Sequence, residues 1–282
     1  MTSCRTCGIS DSLLPSNFLS VSWRFDFCSN CHSIQLARKP SDQELGEIYS
    51  ETYFPVSKYS NRLSQDLEHQ HRSRILARFS PKAKSLIDLG CGTGSFIAYL
   101  NNHYQADGAD AYPSAISRAR SAVHGSTIFK QSLDSPITID LKRYDICTIW
   151  DTIEHLWNPS YLFEQLSYKM RQGSILVLST PAIDSTFAVL TRSSWPFFTP
   201  PEHQTFISMT GFRKLAYNYG FTILSSHLSG KWTTIGFVFY KLSRKSPLFI
   251  KSFFQVLSES FLSRIPVYVP TYDIRYLVLQ KL

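Results

Sequence analysis

Four sets of residues stand out for reactivity. Cys4-Arg-Thr-Cys7 and Cys28-Ser-Asn-Cys31 form two C-x-x-C pairs. Two thiolates on a tight turn grip one edge of a tetrahedron, and a second pair closes it, which is the spacing of a zinc ribbon or knuckle. Cys4, Cys7, Cys28 and Cys31 with no open position make a structural metal site. His32 can replace one of them, and free thiols or a disulfide are the alternatives. The second set is Asp88-Leu-Gly90-Cys-Gly92-Thr-Gly94, a glycine turn that brings free backbone N–H groups toward an electron-rich ligand. The third is Asp110, twenty residues past Gly90, a carboxylate that can accept both hydroxyls of a ribose. The fourth is Asp151-Thr-Ile-Glu154-His155, with His203 further on. A histidine titrates near neutral pH, so His155 and His203 are the candidate general bases.

These residues need strands and helices to place them. Leu86, Ile87 and Leu89 predict a buried strand before the glycine turn, and Phe96, Ile97, Tyr99 and Leu100 a helix after it. Gln105–Asp110 reads as a second strand, Pro113–Arg120 as a helix, and Thr127–Lys130 as a third strand. Tyr144–Trp150 is a fourth, apolar strand ending at Asp151. Asn158 and Pro159 cap and open a helix that Gly173 stops, and Ser174–Ser179 is a fifth strand. A helix from Thr210, a strand from Phe221 and a final strand Asp273–Lys281 follow. Alternation of strand and helix predicts an α/β fold with a parallel sheet, whose ligands lie at the strands' carboxyl ends.

The third glycine of a dinucleotide fingerprint would fall at Ser95, and the chain has Gly94 instead. D-x-G-x-G-x-G resembles motif I of class I S-adenosylmethionine-dependent methyltransferases, of the ubiquinone-pathway kind. "D-x-x-P-x-x-I-x-x-A-R" from Asp110 and "E-H-x-x-F" from Glu202 resemble further segments of that family. The resemblance covers residues 50–282 and implies a Rossmann-like, seven-stranded, mostly parallel sheet with helices on both faces. Its strand order is 3-2-1-4-5-7-6, with strand seven antiparallel. It implies S-adenosylmethionine as methyl donor, held by Asp88, Gly90, Gly92, Gly94 and Asp110. Ser132 and Leu133 would lie at the adenine, followed by Asp134, and Asp151 would complete the cofactor site. Asp151, Glu154, His155 and His203 also resemble the carboxylate/histidine metal site of small-RNA 3′-end methyltransferases. The first forty residues look like the zinc-binding extension of some bacterial methyltransferases, including sugar C-methyltransferases.

The domain reading is a zinc-ribbon-like module over 1–40, a linker with N-terminal helices over 41–80, and a methyltransferase domain over 81–282. A helical insertion interrupts that domain at about 229–271. Leu63, Leu67, His71 and Ile75 give the helix from Asn61 its apolar face, leaving His69, Arg72, Arg74 and Arg78 as a solvated basic face. Tyr53 and Phe54 can cover the cofactor, and Trp195-Pro-Phe-Phe can wall the acceptor pocket. The net charge of +8 suits an anionic partner: nucleic acid, a phosphorylated sugar or a membrane surface. No apolar run is long enough for a membrane span, and Met-Thr-Ser-Cys-Arg lacks a signal core, so a cytoplasmic protein with reduced thiols is expected. Peripheral membrane contact stays open. The expected acceptor is a small molecule such as a sugar, glycan or lipid precursor. RNA is the second reading, and a non-enzymatic zinc-ribbon interaction protein the third.

Overall fold

Short, turn-rich sequence at the N-terminus and long apolar runs beyond residue 85 build two sheets of different kinds in the computed structural model, which describes residues 3–48, 62–100, 103–239 and 261–282. The first sheet contains β1 (Leu13–Pro15), β2 (Phe25–Cys28) and β3 (Ile34–Leu36), all antiparallel. The period-two run from Val21 suggests a longer second strand, but Val21 is fully exposed and pairing begins only at Phe25. Helices α1 (Asp42–Ile48) and α2 (Arg62–Phe79) follow. Ser41 and Glu44 cap α1 reciprocally, each side chain bonding the other's backbone N–H. Tyr53, Phe54 and Asn61 lie outside the described residues.

The second sheet is built from β4 (Ser85–Leu89), α3 (Ser95–Leu100), β5 (Gln105–Asp110), α4 (Pro113–Ala122), β6 (Ile128–Lys130), β7 (Ile146–Trp150), α5 (Pro159–Lys169) and β8 (Ile175–Pro181). Helix α6 (Thr186–Thr191), strand β9 (Thr205–Phe206), helix α7 (Met209–Asn218), β10 (Phe221–Thr234) and β11 (Pro266–Lys281) complete the chain. Strand β9 joins the first sheet, in the order β1-β2-β3-β9. The seven-stranded sheet runs β10-β11-β8-β7-β4-β5-β6, with β11 antiparallel to its neighbours. This is the expected 3-2-1-4-5-7-6 order.

Alternate strand residues feed two cores. Ile87, Cys147, Leu176 and Leu277 pack with Leu162, Phe163, Phe212 and Leu215 of α5 and α7. Leu86, Ile146, Val177 and Val278 pack with Leu76, Ile97 and Ile116 of α2, α3 and α4. Burial on both faces is why these strands read as nearly continuous apolar runs. Helix α5 ends at Lys169, before Gly173, which instead turns the chain into β8 at φ +81. Helix α7 begins one residue earlier than expected, capped by the Ser208 hydroxyl.

The insertion departs further from expectation. Strand β10 continues through Trp232 to Thr234, paired with Pro266–Val269 as a ribbon beyond the sheet. Register shifts between Ser229 and Lys231, where a Cβ on Gly230 would overlap the Val269 carbonyl. Residues 235–239 are helical, and Phe261–Arg264 forms a 3-10 turn. Tyr240, Phe249, Phe253 and Phe254 lie outside the described residues.

Candidate cofactor and catalytic site

The glycine turn and Asp110 meet. Gly90, Gly92 and Gly94 have φ of +84, +54 and +77, where a side chain is strained. A Cβ on Gly90 would also overlap the Thr152 side chain behind it. The Gly92 N–H donates to Asp110 Oδ2 at 2.9 Å, and the Tyr112 N–H donates to Oδ1 at 2.9 Å. Each carboxylate oxygen therefore keeps a lone pair for a hydroxyl donor. Parallel pairing of β4 with β5 forces this meeting, because it sets their carboxyl ends side by side.

Asp88 is buried at the end of β4 and accepts from Thr148 Oγ1 at 2.6 Å. Burial pushes its pKa up to about 6, although the Thr148 hydroxyl opposes the shift. Ser132 and Leu133 follow β6, beside Asp110, whose carbonyl accepts from the Gln131 N–H at 2.8 Å. Leu133 is buried in the core, and the Ser132 carbonyl accepts from Gln131 Nε2 and Ser135 Oγ. The Asp134 carboxylate accepts from the Trp157 and Asn158 N–H groups, which ties this loop to the start of α5.

Asp151 follows β7 with φ +49. Its Oδ2 receives Arg72 Nη2 at 3.0 Å and Lys231 Nζ at 2.9 Å, and its Oδ1 receives Ser179 Oγ at 2.8 Å. Burial alone would raise its pKa, but Lys231 and Arg72 outweigh that and hold the carboxyl far below the usual range. Glu68 lies beneath, accepting from Tyr276 Oη and from the Trp232 N–H, with Arg72 Nε 3.7 Å away. His69 bonds Ser95 Oγ at 3.2 Å, and burial drops its pKa to about 3, so its ring is neutral.

These α2 contacts correct the sequence reading. Leu63, assigned to the apolar face, is 63% exposed, while His69 and Arg72, assigned to a solvated face, are buried with Ser64 and Glu68. Glu68, Arg72, Lys231 and Tyr276 were absent from the expected site. The signal was present in Ser64, Glu68, Arg72 and Leu76, four residues apart with an i,i+4 ion pair.

Glu154, His155 and His203 form a second cluster, with ligand atoms all within 4.8 Å of one another. Asp151 is not in it, because its carboxylate turns to Arg72 and Lys231. The metal set suggested by the sequence thus shrinks to three residues. Burial, aided by the charge of Asp151, pushes the Glu154 pKa up to about 8. His155 Nδ1 meets the Glu202 carbonyl at 2.9 Å, and His203 Nδ1 meets the Phe197 carbonyl at 2.6 Å. A carbonyl only accepts, so both Nδ1 atoms carry protons, and in a neutral ring with that tautomer Nε2 is the basic nitrogen. Phe197 of the Trp195–Phe198 loop lies 5.8 Å from Lys231 Nζ, on the side of Asp151. Trp195 and Phe198 pack with Trp23, Phe25 and Ile34 of the N-terminal module.

The four module thiols are buried, with Cys4 Sγ 3.6 Å from Cys31 Sγ and Cys7 Sγ 3.7 Å from Cys28 Sγ. Four sulfurs at ~2.3 Å from one ion would be ~3.8 Å apart, whereas a disulfide needs ~2.05 Å. The geometry therefore fits a tetrahedral ion, and all six cysteines are free thiols. His32 stacks on Phe27 and lies outside the thiol set.

A family model described as "Methyltransferase domain" matches residues 62–226. No curated protein matches the chain by sequence. Among solved structures, the chain is similar to magnesium protoporphyrin IX methyltransferase from Synechocystis with bound SAH, at 17% identity and TM-score 0.51 over 79% of this chain and 85% of that one. It is also similar to the plantazolicin methyltransferase BamL in complex with a triazolic desmethylPZN analog and SAH (19%, TM-score 0.53, 79% and 88%). A third likeness is the [4+2]-cyclase SpnF (13%, TM-score 0.55, 86% and 97%). At such identities these structures establish the fold and leave the chemistry to the site. With the family model spanning more than half of its residues, the chain belongs to the methyltransferase domain family.

Proposed function

We propose that this protein transfers a methyl group from S-adenosylmethionine to a small-molecule acceptor. The observation that carries the reading is the Gly92–Asp110 contact, which holds a carboxylate with two spare lone pairs against a glycine turn. Asp110 would take the ribose hydroxyls, Gly90, Gly92 and Gly94 leave room for the ligand, Ser132 and Leu133 flank the adenine, and Asp88 and Asp151 face its polar end. When bound, the cofactor supplies an electrophilic methyl group. The protein's part is to orient the acceptor, exclude water and take its proton. His155 Nε2 or His203 Nε2 would take that proton, with Nδ1 fixed by a carbonyl in each case.

A cavity of about 260 Å³ supports a small acceptor. It lies between α2 and the ribbon and is lined by Glu68, His71, Ser229, Gly230, Trp232 and Tyr268. Glu68 links it through Arg72 to Asp151, at the carboxyl edge of the sheet. Three rings, a carboxylate and two hydroxyls suit a hydroxylated acceptor such as a sugar, glycan or lipid precursor. The module would hold zinc on Cys4, Cys7, Cys28 and Cys31 as a structural ion. Among the described residues no helix is long and apolar enough to cross a membrane. The Glu154/His155/His203 trio favours a second reading, an RNA methyltransferase with a divalent ion there.

One experiment separates these readings. Tritiated methyl groups offered to fractionated cell extract should appear in the small-molecule fraction, and His203→Ala should cut the transfer by about 10²–10⁴-fold at unchanged cofactor affinity. Label in RNA would select the second reading, and full activity in the variant would remove His203 from catalysis.

Asp88 adds a pH dependence. Its folded pKa is raised, so its contribution to stability is present below the unfolded value of ~3.9 and is lost as pH rises through about 6. A cationic ligand prefers the ionised form, so cofactor affinity should rise by up to about tenfold between pH 5 and 7. Asp88→Asn should flatten that rise in a calorimetric titration, and an unchanged slope in the variant would count against Asp88 as its source.

A further inference from the structure

We propose that the four-cysteine module is a positioning element of the Glu154/His155/His203 cluster. The inference rests on the zinc and histidine readings above, and its test separates its own failure from theirs. Strand β9 is two residues long, and the segment Gln204–Phe206 bonds both to the module and to the loop after β7. On one edge Thr205 and Phe206 pair with Gln35 and Ile34 of β3, and the Leu36 N–H donates to the Gln204 carbonyl at 2.8 Å. The Gln204 N–H donates to the Glu154 carbonyl at 2.8 Å. Gln204 Nε2 donates to the His155 carbonyl at 2.8 Å, and Thr205 Oγ1 to the Leu156 carbonyl at 3.2 Å. His203 is the next residue upstream. One short segment thus stitches both histidines and Glu154 to the module.

The other end of the connection is the thiol cluster. The Cys28 N–H bonds the Ser33 carbonyl at 2.9 Å, just before β3 begins. Ser208 Oγ, at the cap of α7, donates to the Cys31 carbonyl, and the Ser208 N–H donates to Ser33 Oγ. Arg5, inside the first C-x-x-C pair, stacks 3.4 Å over the Trp157 ring and donates to the Leu36 carbonyl at 2.7 Å. Phe206 of β9, Trp195 and Phe198 share a core with Phe25, Ile34 and Leu36 of the module. The Phe197 carbonyl that orients His203 lies in this same aromatic loop.

A two-residue strand cannot hold its own register, and a module of some forty residues has too small a core to hold it alone. An ion on the thiols would add order to β3 beyond the shared aromatic core, and through β3 to β9. In this reading Gln204, Thr205 and Arg5 are positioning residues that touch no reacting atom.

The test is hydrogen exchange on the full chain, with zinc content measured before and after chelation. Stripping zinc should speed exchange about tenfold or more in peptides over 34–36, 204–206 and 154–156, and leave β4 and β7 protected. Zinc removal should also shift the imidazole proton resonances of His155 and His203, and leave those of the exposed His103 and His124 in place. Faster exchange confined to residues 4–36 would overturn the inference while keeping the zinc reading. Loss of protection in β4 and β7 would overturn it too, by making the ion a support of the whole fold. A purified chain without zinc would sink the zinc reading and the inference together. Gln204→Leu keeps the backbone pairing and should shift the His155 resonance at full zinc content, and an unmoved resonance would count against the coupling.

Discussion

Asp110→Asn should weaken S-adenosylmethionine binding by about 10²–10⁴-fold without changing the fold. The carboxylate offers two charged acceptors, and charge-assisted hydrogen bonds contribute ~1.5–3 kcal/mol each. The amide keeps one acceptor and presents a donor where a second hydroxyl must donate. The Gly92 and Tyr112 N–H groups compete for whatever acceptor remains. Burial raises the Asp110 pKa, although the Tyr112 and Gly92 N–H groups oppose that shift. Isothermal calorimetry on both proteins reads the ratio directly. An affinity loss below about fivefold would mean that Asp110 is a structural cap of the loop after β5 and not a ligand for ribose.

Arg72→Met should lower stability by about 3–5 kcal/mol, the scale for breaking a buried ion pair by removing one partner. Arg72 is 8% exposed and lies between Asp151 and Glu68, so methionine would leave the buried Glu68 carboxylate and the half-buried Asp151 carboxylate with one cation, Lys231. At ~2–4 °C per kcal/mol, the melting temperature should fall by roughly 10 °C. Arg72→Met with Asp151→Asn should recover part of the loss, because the amide no longer needs a counter-charge. A single variant melting within about 2 °C of the parent would show that the network is solvated and carries little energy, as surface pairs do.

The sheet was readable from sequence because its strands obey local rules. Leu86–Leu89 and Ile146–Trp150 alternate between two cores, the glycines mark the turn, and Asn158 with Pro159 marks a helix start. Motif spacing then fixed the meeting of the glycine turn with Asp110, because parallel neighbours align their ends. What escaped depends on contacts distant in sequence. Glu68, His69 and Arg72 look like a solvated face until Asp151, Tyr276 and Lys231 are placed against them. Trp232 lies in aromatic-rich sequence that suggests helix, yet Tyr268 and Val269 draw this stretch into a ribbon. Strand β9 is too short for any periodicity, and only its partner β3 reveals it. Nothing local in the sequence shows that the module will cover Trp195 and Phe198.

The most direct measurement is a calorimetric titration of S-adenosylmethionine into the intact, zinc-loaded chain. One site per chain, with the binding heat lost in Asp110→Asn, is the expected result. A well-folded parent protein that takes up no S-adenosylmethionine at millimolar concentration would contradict the assignment of the glycine turn and Asp110 as its site.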